Sequence, residues 1–134
     1  MEKSKKIVFT NGCFDIIHTG HVELLKYAKS LGSELVVGLN TDRSVKENKG
    51  DLRPINTQEN RKIVLESIRW VDRVILFDEK TPIVLINDLN PDIIVKGGDY
   101  TSDEVIGKHI ADVKIFRLID GLSTTKTIEN INNR

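Results

Sequence analysis

Short apolar runs rich in β-branched residues recur along the chain at KIVFTN (6–11), ELVVGLN (34–40), RVILF (73–77), DIIVKG (92–97) and DVKIFRL (112–118). The three middle runs are nearly continuous in apolar side chains, as expected of strands covered on both faces in a parallel sheet. Between the strands the period lengthens. In HVELLKYAKSLG (21–32), Leu24, Leu25, Ala28 and Leu31 share one helical stripe, and Gly32 is placed to end it. TQENRKIVLESIRW (57–70) opens on Thr57 as a cap, and TPIVLINDLN (81–90) on Thr81 with Pro82 at the first helical position. STTKTIENI (123–131) offers hydroxyls to open a last helix. Strand and helix alternating in this way predict an α/β fold, a doubly wound and mainly parallel five-stranded sheet flanked by helices, with right-handed crossovers. A ligand then belongs at the carboxyl ends of the strands. The irregular stretch NTDRSVKENKGDLRPIN (40–56) reads as a mobile loop at that edge.

The 134 residues suit a single domain, 1–134, able to bury a core without disulfides or metal staples. Twenty basic and twenty acidic residues cancel, with no basic stripe, which argues against nucleic acid as the main ligand while leaving room for a local phosphate site. No run has the length of a membrane span or a signal peptide's apolar region, and Cys13 is the only cysteine. The cytoplasm is the expected compartment. Cys13 has no base at a fixed spacing and reads as a small packing residue, not a nucleophile.

The chemistry concentrates in FTNGCFDIIHTGHVELL (9–25). If the first strand ends near Asn11, then Gly12 to Thr19 is a crossing loop and Gly20-His21 opens the helix, which sets His18 and His21 beside free backbone N–H groups at its positive end. Phosphate binds there. Gly20 lets an anion approach the backbone, and the imidazoles add donors that can follow charge developing on a phosphoryl oxygen. Two histidines three apart could also ligate a metal, but His109 is remote and no carboxylate or thiol stands at a ligand spacing.

GCFDIIHTGH (12–21) resembles the first motif of the HxGH nucleotidyltransferases, the cytidylyltransferase-like superfamily. Other pieces follow in that superfamily's order: Lys46 and Lys49 in VKENKG, Arg61 in ENRKIVL, VDRV (71–74), KGGDY (96–100) and GLSTTK (121–126). The resemblance covers nearly the whole chain and implies a Rossmann-like sheet. SVKENKGDLRPIN, VKGGDYTSDEVIG and DGLSTT most resemble the adenylyltransferase domain that makes ADP-heptose from ATP and D-glycero-β-D-manno-heptose 1-phosphate. Glycerol-3-phosphate cytidylyltransferases are the nearest rivals. Their closing signature resembles R-T-E-G-I-S-T-T, and its arginine and threonine, which help hold a cytosine nucleotide, are replaced here by Leu118 and Ile119, with Arg117 one place early. That departure favours ATP over CTP. A non-catalytic nucleotide sensor of the same architecture is the alternative from another class.

The resemblance implies that His18, His21 and Lys49 are catalytic and contact the triphosphate. It implies nucleotide binding by Thr10, Asn11, Gly12, Cys13, Phe14, Gly20, Lys46, Arg61, Gly97, Asp99, Ser123, Thr124 and Thr125. Lys49 and Asp15 are the residues expected to meet the acceptor. Lys46 can equally be a solvated surface lysine, and Asp15 either meets Mg²⁺ or a hydroxyl or only braces its loop. Arg61 could turn a forked guanidinium to a phosphate. Mg²⁺ is the implied cofactor, carried mainly on nucleotide phosphates, with no protein metal ligands. A homodimer and a separate sugar kinase upstream are the implied partners.

Overall fold

The computed structural model describes residues 5–98, 101–117 and 124–133. Five parallel strands, β1 (Ile7–Gly12), β2 (Glu34–Asn40), β3 (Arg73–Phe77), β4 (Ile93–Gly97) and β5 (Asp112–Phe116), form one sheet in the order β3-β2-β1-β4-β5. All five expected strands are present, each within two residues of its sequence-based bounds. The connecting helices are α1 (Thr19–Ser30), α2 (Asp42–Lys49), α3 (Gln58–Glu66), α4 (Ile83–Leu89) and α5 (Thr124–Asn132), with a single 3₁₀ turn at Ser102–Glu104.

Side chains alternate across the pleat and divide the core in two. Val8, Leu35, Val37, Val74 and Val95 pack with Leu24, Leu25 and Ala28 of α1 and Leu65 of α3. Phe9, Val36 and Ile94 pack on the opposite face with Ile86 of α4 and with Val105. Helices on both faces make the sheet doubly wound and explain why β2, β3 and β4 read as nearly continuous apolar runs. Phe9 is wholly buried, and its truncation to alanine would cost about 3–5 kcal/mol.

Three expectations need correction. The 40–56 stretch is not a loop throughout, because α2 occupies Asp42–Lys49. Thr41 caps it by accepting from the Ser44 N–H, Val45 is wholly buried, and Ser44 Oγ and Asn48 Nδ2 donate to the carbonyls of Glu79 and Lys80. α4 starts later than a Thr81 cap would place it, since Pro82 is itself the cap and its carbonyl accepts from Ile86. α1 begins at Thr19, with His18 as its cap. Among the described residues no helix is long and apolar enough to cross a membrane.

The order of strands reverses between β1 and β4, where the chain runs outward to β2 and β3 on one side and to β5 on the other. The crevice above the carboxyl ends of β1 and β4 is thus the topological switch point, the place where such sheets bind ligands.

Candidate functional site

A cavity of about 230 Å³ opens at that switch point. Its wall is Thr10, Asn11 and Gly12 from the end of β1, Cys13, Phe14 and Asp15 from the following loop, His18, His21 and Leu24 from the start of α1, Lys96 and Gly97 from β4, Lys49, Arg53, and Thr125 of α5. A second cavity of about 410 Å³ shares Asn11, Gly12, Cys13, Lys49 and Lys96 with it and extends towards Asn40, Asn48, Lys80 and Thr81. The two meet across the carboxyl end of β1.

The histidines are fixed by the helix they open. His18 Nδ1 accepts from the Gly20 N–H at 3.0 Å, and His21 Nδ1 accepts from the His18 N–H at 3.2 Å, a reciprocal cap in which imidazoles replace the usual hydroxyl and carboxylate. An Nδ1 that accepts carries no proton, so each neutral ring holds its proton on Nε2. His18 Nε2 is buried and has no hydrogen-bond partner among the described residues. Burial pulls the His18 pKa below the ordinary imidazole value, and burial together with His18 and Lys49 pulls His21 down to about 4. Both rings are therefore neutral donors at pH 7. Their centroids lie 4.0 Å apart, and Phe14 packs against His21 at 5.2 Å. Phe14 itself adopts φ 46°, a left-handed conformation rare for a bulky side chain, in the tight loop that brings β1 into α1.

Positive charge surrounds the imidazoles. Lys49 borders both cavities from the last turn of α2, where Gly50 at φ 99° turns the chain. Lys96 lies at the carboxyl end of β4, and burial lowers its pKa, with Lys49 acting in the same direction. Burial pushes the Cys13 thiol up despite Lys49, Arg61 and Arg53, so it stays protonated at neutral pH and suits a wall residue.

The structure separates the expected residues. Thr10, Asn11, Gly12, Cys13, Phe14, Asp15, His18, His21, Lys49, Gly97 and Thr125 line the first cavity. Gly20 is buried and gives its N–H to His18. Lys46 is exposed on α2 and lines neither cavity, whereas Lys49, also exposed and one turn on, borders both. Arg61 is a correction of a different kind. Its side chain is fully buried and donates to the carbonyls of Asn56 (3.0 Å), Cys13 (2.8 Å) and Asn40 (2.8 Å) and to Asp42 Oδ1 (2.8 Å). Four of its five N–H groups are thereby spent inside the protein, joining the β1 loop, the end of β2, α2 and the approach to α3. Asp15 likewise braces: its carboxylate accepts from the Ile55 and Asn56 N–H groups at 2.7 and 2.8 Å, and its carbonyl from Asn56 Nδ2. Asp99 and Ser123 lie outside the described residues, as does the side chain of Thr124.

Sequence reasoning missed Arg53 and Lys96 as wall residues. Lys96 was signalled by its place beside Gly97 at the carboxyl end of a strand. Nothing local marks Arg53.

The cytidylyltransferase-like family model matches residues 9–130. The chain is 54% identical over 128 residues to the bifunctional protein HldE of Campylobacter fetus, which covers 95% of this chain and 28% of that protein, and 53% identical to the bifunctional protein HldE of Aliarcobacter butzleri, with 95% and 27% covered. It thus spans little more than a quarter of the length of these curated relatives. The crystal structure of the lipopolysaccharide core biosynthesis protein from Thermoplasma volcanium superimposes with a TM-score of 0.71 at 35% identity, covering 87% of this chain and 98% of that one. A pantoate-beta-alanine ligase from Francisella tularensis, at 17% identity and a TM-score of 0.59, shares the fold. With imidazole donors at the switch point of a matching sheet, and a family match over nearly its whole length, the chain belongs to the cytidylyltransferase-like family and is a nucleotidyltransferase.

Proposed function

We propose that the protein is an adenylyltransferase that joins ATP to a sugar 1-phosphate, D-glycero-β-D-manno-heptose 1-phosphate, giving ADP-heptose and pyrophosphate. The observation that carries this reading is the pair of neutral imidazoles, tautomerically fixed by their own backbone, in the wall of a cavity bordered by Lys49 and Lys96. Such donors suit charge that grows on a phosphoryl oxygen during reaction.

No protein nucleophile is required. A phosphate oxygen of the acceptor attacks the α-phosphorus of ATP, the bond to the pyrophosphate oxygen breaks in line, and the pyrophosphate leaves as an anion. His18 and His21 steady the α-phosphoryl oxygens and the leaving charge, and Lys49 holds both anions together. The triphosphate occupies the histidine cavity, with the start of α5 at its far wall. The acceptor occupies the adjoining cavity, where Asn40, Asn48 and Thr81 offer groups to sugar hydroxyls. The Mg²⁺ of this reading arrives on the nucleotide and neutralises phosphate charge there.

ATP is preferred to CTP because Leu118 and Ile119 replace the arginine and threonine of the cytidylyltransferase signature. The heptose rests on the likeness of the 44–56 and 95–107 stretches to ADP-heptose enzymes, and is in keeping with a relative named for lipopolysaccharide core biosynthesis. Pyrophosphate release in the presence of Mg²⁺ tests all of this, pairing ATP or CTP with the heptose 1-phosphate, other hexose 1-phosphates and glycerol 3-phosphate. Release with ATP and the heptose phosphate alone is expected. Release with CTP and glycerol 3-phosphate would overturn base and acceptor together, and silence in every pairing would favour a nucleotide sensor.

A further inference from the structure

Arg53 stands in the wall of the histidine cavity with its side chain only 12% exposed. Its one ionic neighbour among the described residues is Asp15 Oδ2, 3.5 Å from Nε, which is too long for a sound hydrogen bond. Each Asp15 oxygen already accepts from a backbone amide, Oδ2 from Ile55 and Oδ1 from Asn56. Arg53 Nε and Nη2 are accordingly buried without an acceptor among the described residues. A guanidinium taken out of water with donors unfilled is costly, and such groups are normally paired or bonded. The backbone does not let it escape: the Arg53 N–H is tied to the Gly50 carbonyl, and the next turn is pinned to Asp15.

What would fill those donors is an anion with two oxygens at fork spacing. Among the described residues the charged wall of the cavity is Arg53, Lys49 and Lys96 with Asp15, and both imidazoles are neutral, which favours a negatively charged ligand. Arg53 borders the histidine cavity and not the adjoining one. We propose that Arg53 is a polyphosphate-binding residue whose guanidinium grips the nucleotide's phosphate chain, and that Asp15 is the positioning residue that holds its segment against the cavity. The proposal rests on the reading of this cavity as a nucleotide site.

Calorimetric binding of inorganic tripolyphosphate with Mg²⁺ tests it without requiring turnover or knowledge of base and acceptor. R53Q is expected to weaken tripolyphosphate and ATP by roughly tenfold to a hundredfold, the range of a charged hydrogen bond. R53K keeps the charge without the fork and should recover only part of that loss. The KM for the sugar phosphate should stay within about twofold. R53Q should keep its melting temperature, because Ile55 and Asn56 still bind Asp15; should it fail to fold, R53K alone decides by the same measurement. Tripolyphosphate affinity equal to wild type in the variant, no binding by wild type, or a loss confined to the acceptor would each overturn the proposal. If ATP and every acceptor prove inert while R53Q still loses tripolyphosphate, the anion site stands and only the functional reading falls.

Discussion

Arg53 and Arg61 sit eight residues apart in one polar stretch, both removed from solvent, and they differ in what their donors find. Arg61 meets three carbonyls and a carboxylate and is finished as a piece of framework; Arg53 has one carboxylate 3.5 Å away and keeps Nε and Nη2 without a partner among the described residues, in the wall of the cavity. Burial alone does not tell a brace from a ligand contact. Counting acceptors does, because an arginine with its N–H groups filled has nothing left to offer a phosphate. The same division runs through a single imidazole: His18 accepts from Gly20 on Nδ1, whereas its Nε2 has no partner among the described residues.

The comparison can be broken most forcefully at Arg61. R61M should destabilise the protein by about 3–5 kcal/mol, since it leaves Asp42 and three carbonyls without their common donor. R61K should do little better, one ammonium being unable to span four acceptors. Urea denaturation reads both, and stability near wild type would show that Arg61 is no brace. Next in size come the histidines, where H18A and H21A should each lower turnover a hundredfold or more, about 3 kcal/mol, with the fold kept. H18N sharpens this further: asparagine is a good helix cap, so it should restore the start of α1 without restoring turnover. Recovery of activity in H18N would assign His18 to capping alone.

A smaller effect lies in the pH dependence of stability. The folded His21 has its pKa near 4, against about 6.5 when unfolded, so between those values the unfolded chain binds a proton that the folded one refuses. Its contribution is complete above about pH 6.5, declines as pH falls, and levels off below 4. H21Q should flatten that part of the curve, and an unchanged slope would place the His21 titration elsewhere. Smallest of all, K46A should leave KM values within about twofold while K49A raises them about tenfold; equal effects would mean that α2 does not hold Lys46 away from the site.

The strands and the histidine motif were legible because both are local patterns: β-branched runs of fixed length, and two imidazoles spaced to cap a helix. The short helix α2 was not, since its one wholly buried apolar side chain is Val45 and its ties run to Glu79 and Lys80, more than thirty residues on. The roles of Arg53 and Arg61 were invisible for a related reason. Nothing in LRPIN or ENRKI reveals that the carbonyls of Cys13 and Asn40 converge on one arginine while the other is left with Asp15.

The central claim is that His18 and His21 are neutral donors through Nε2. Nitrogen-15 NMR of the imidazoles at pH 7, without and with Mg²⁺ and ATP, measures it directly. Both rings should be neutral with the proton on Nε2, and their Nε2 resonances should move when the nucleotide binds. Imidazolium signals at pH 7, or protons resident on Nδ1, would contradict the capping geometry and the mechanism built on it.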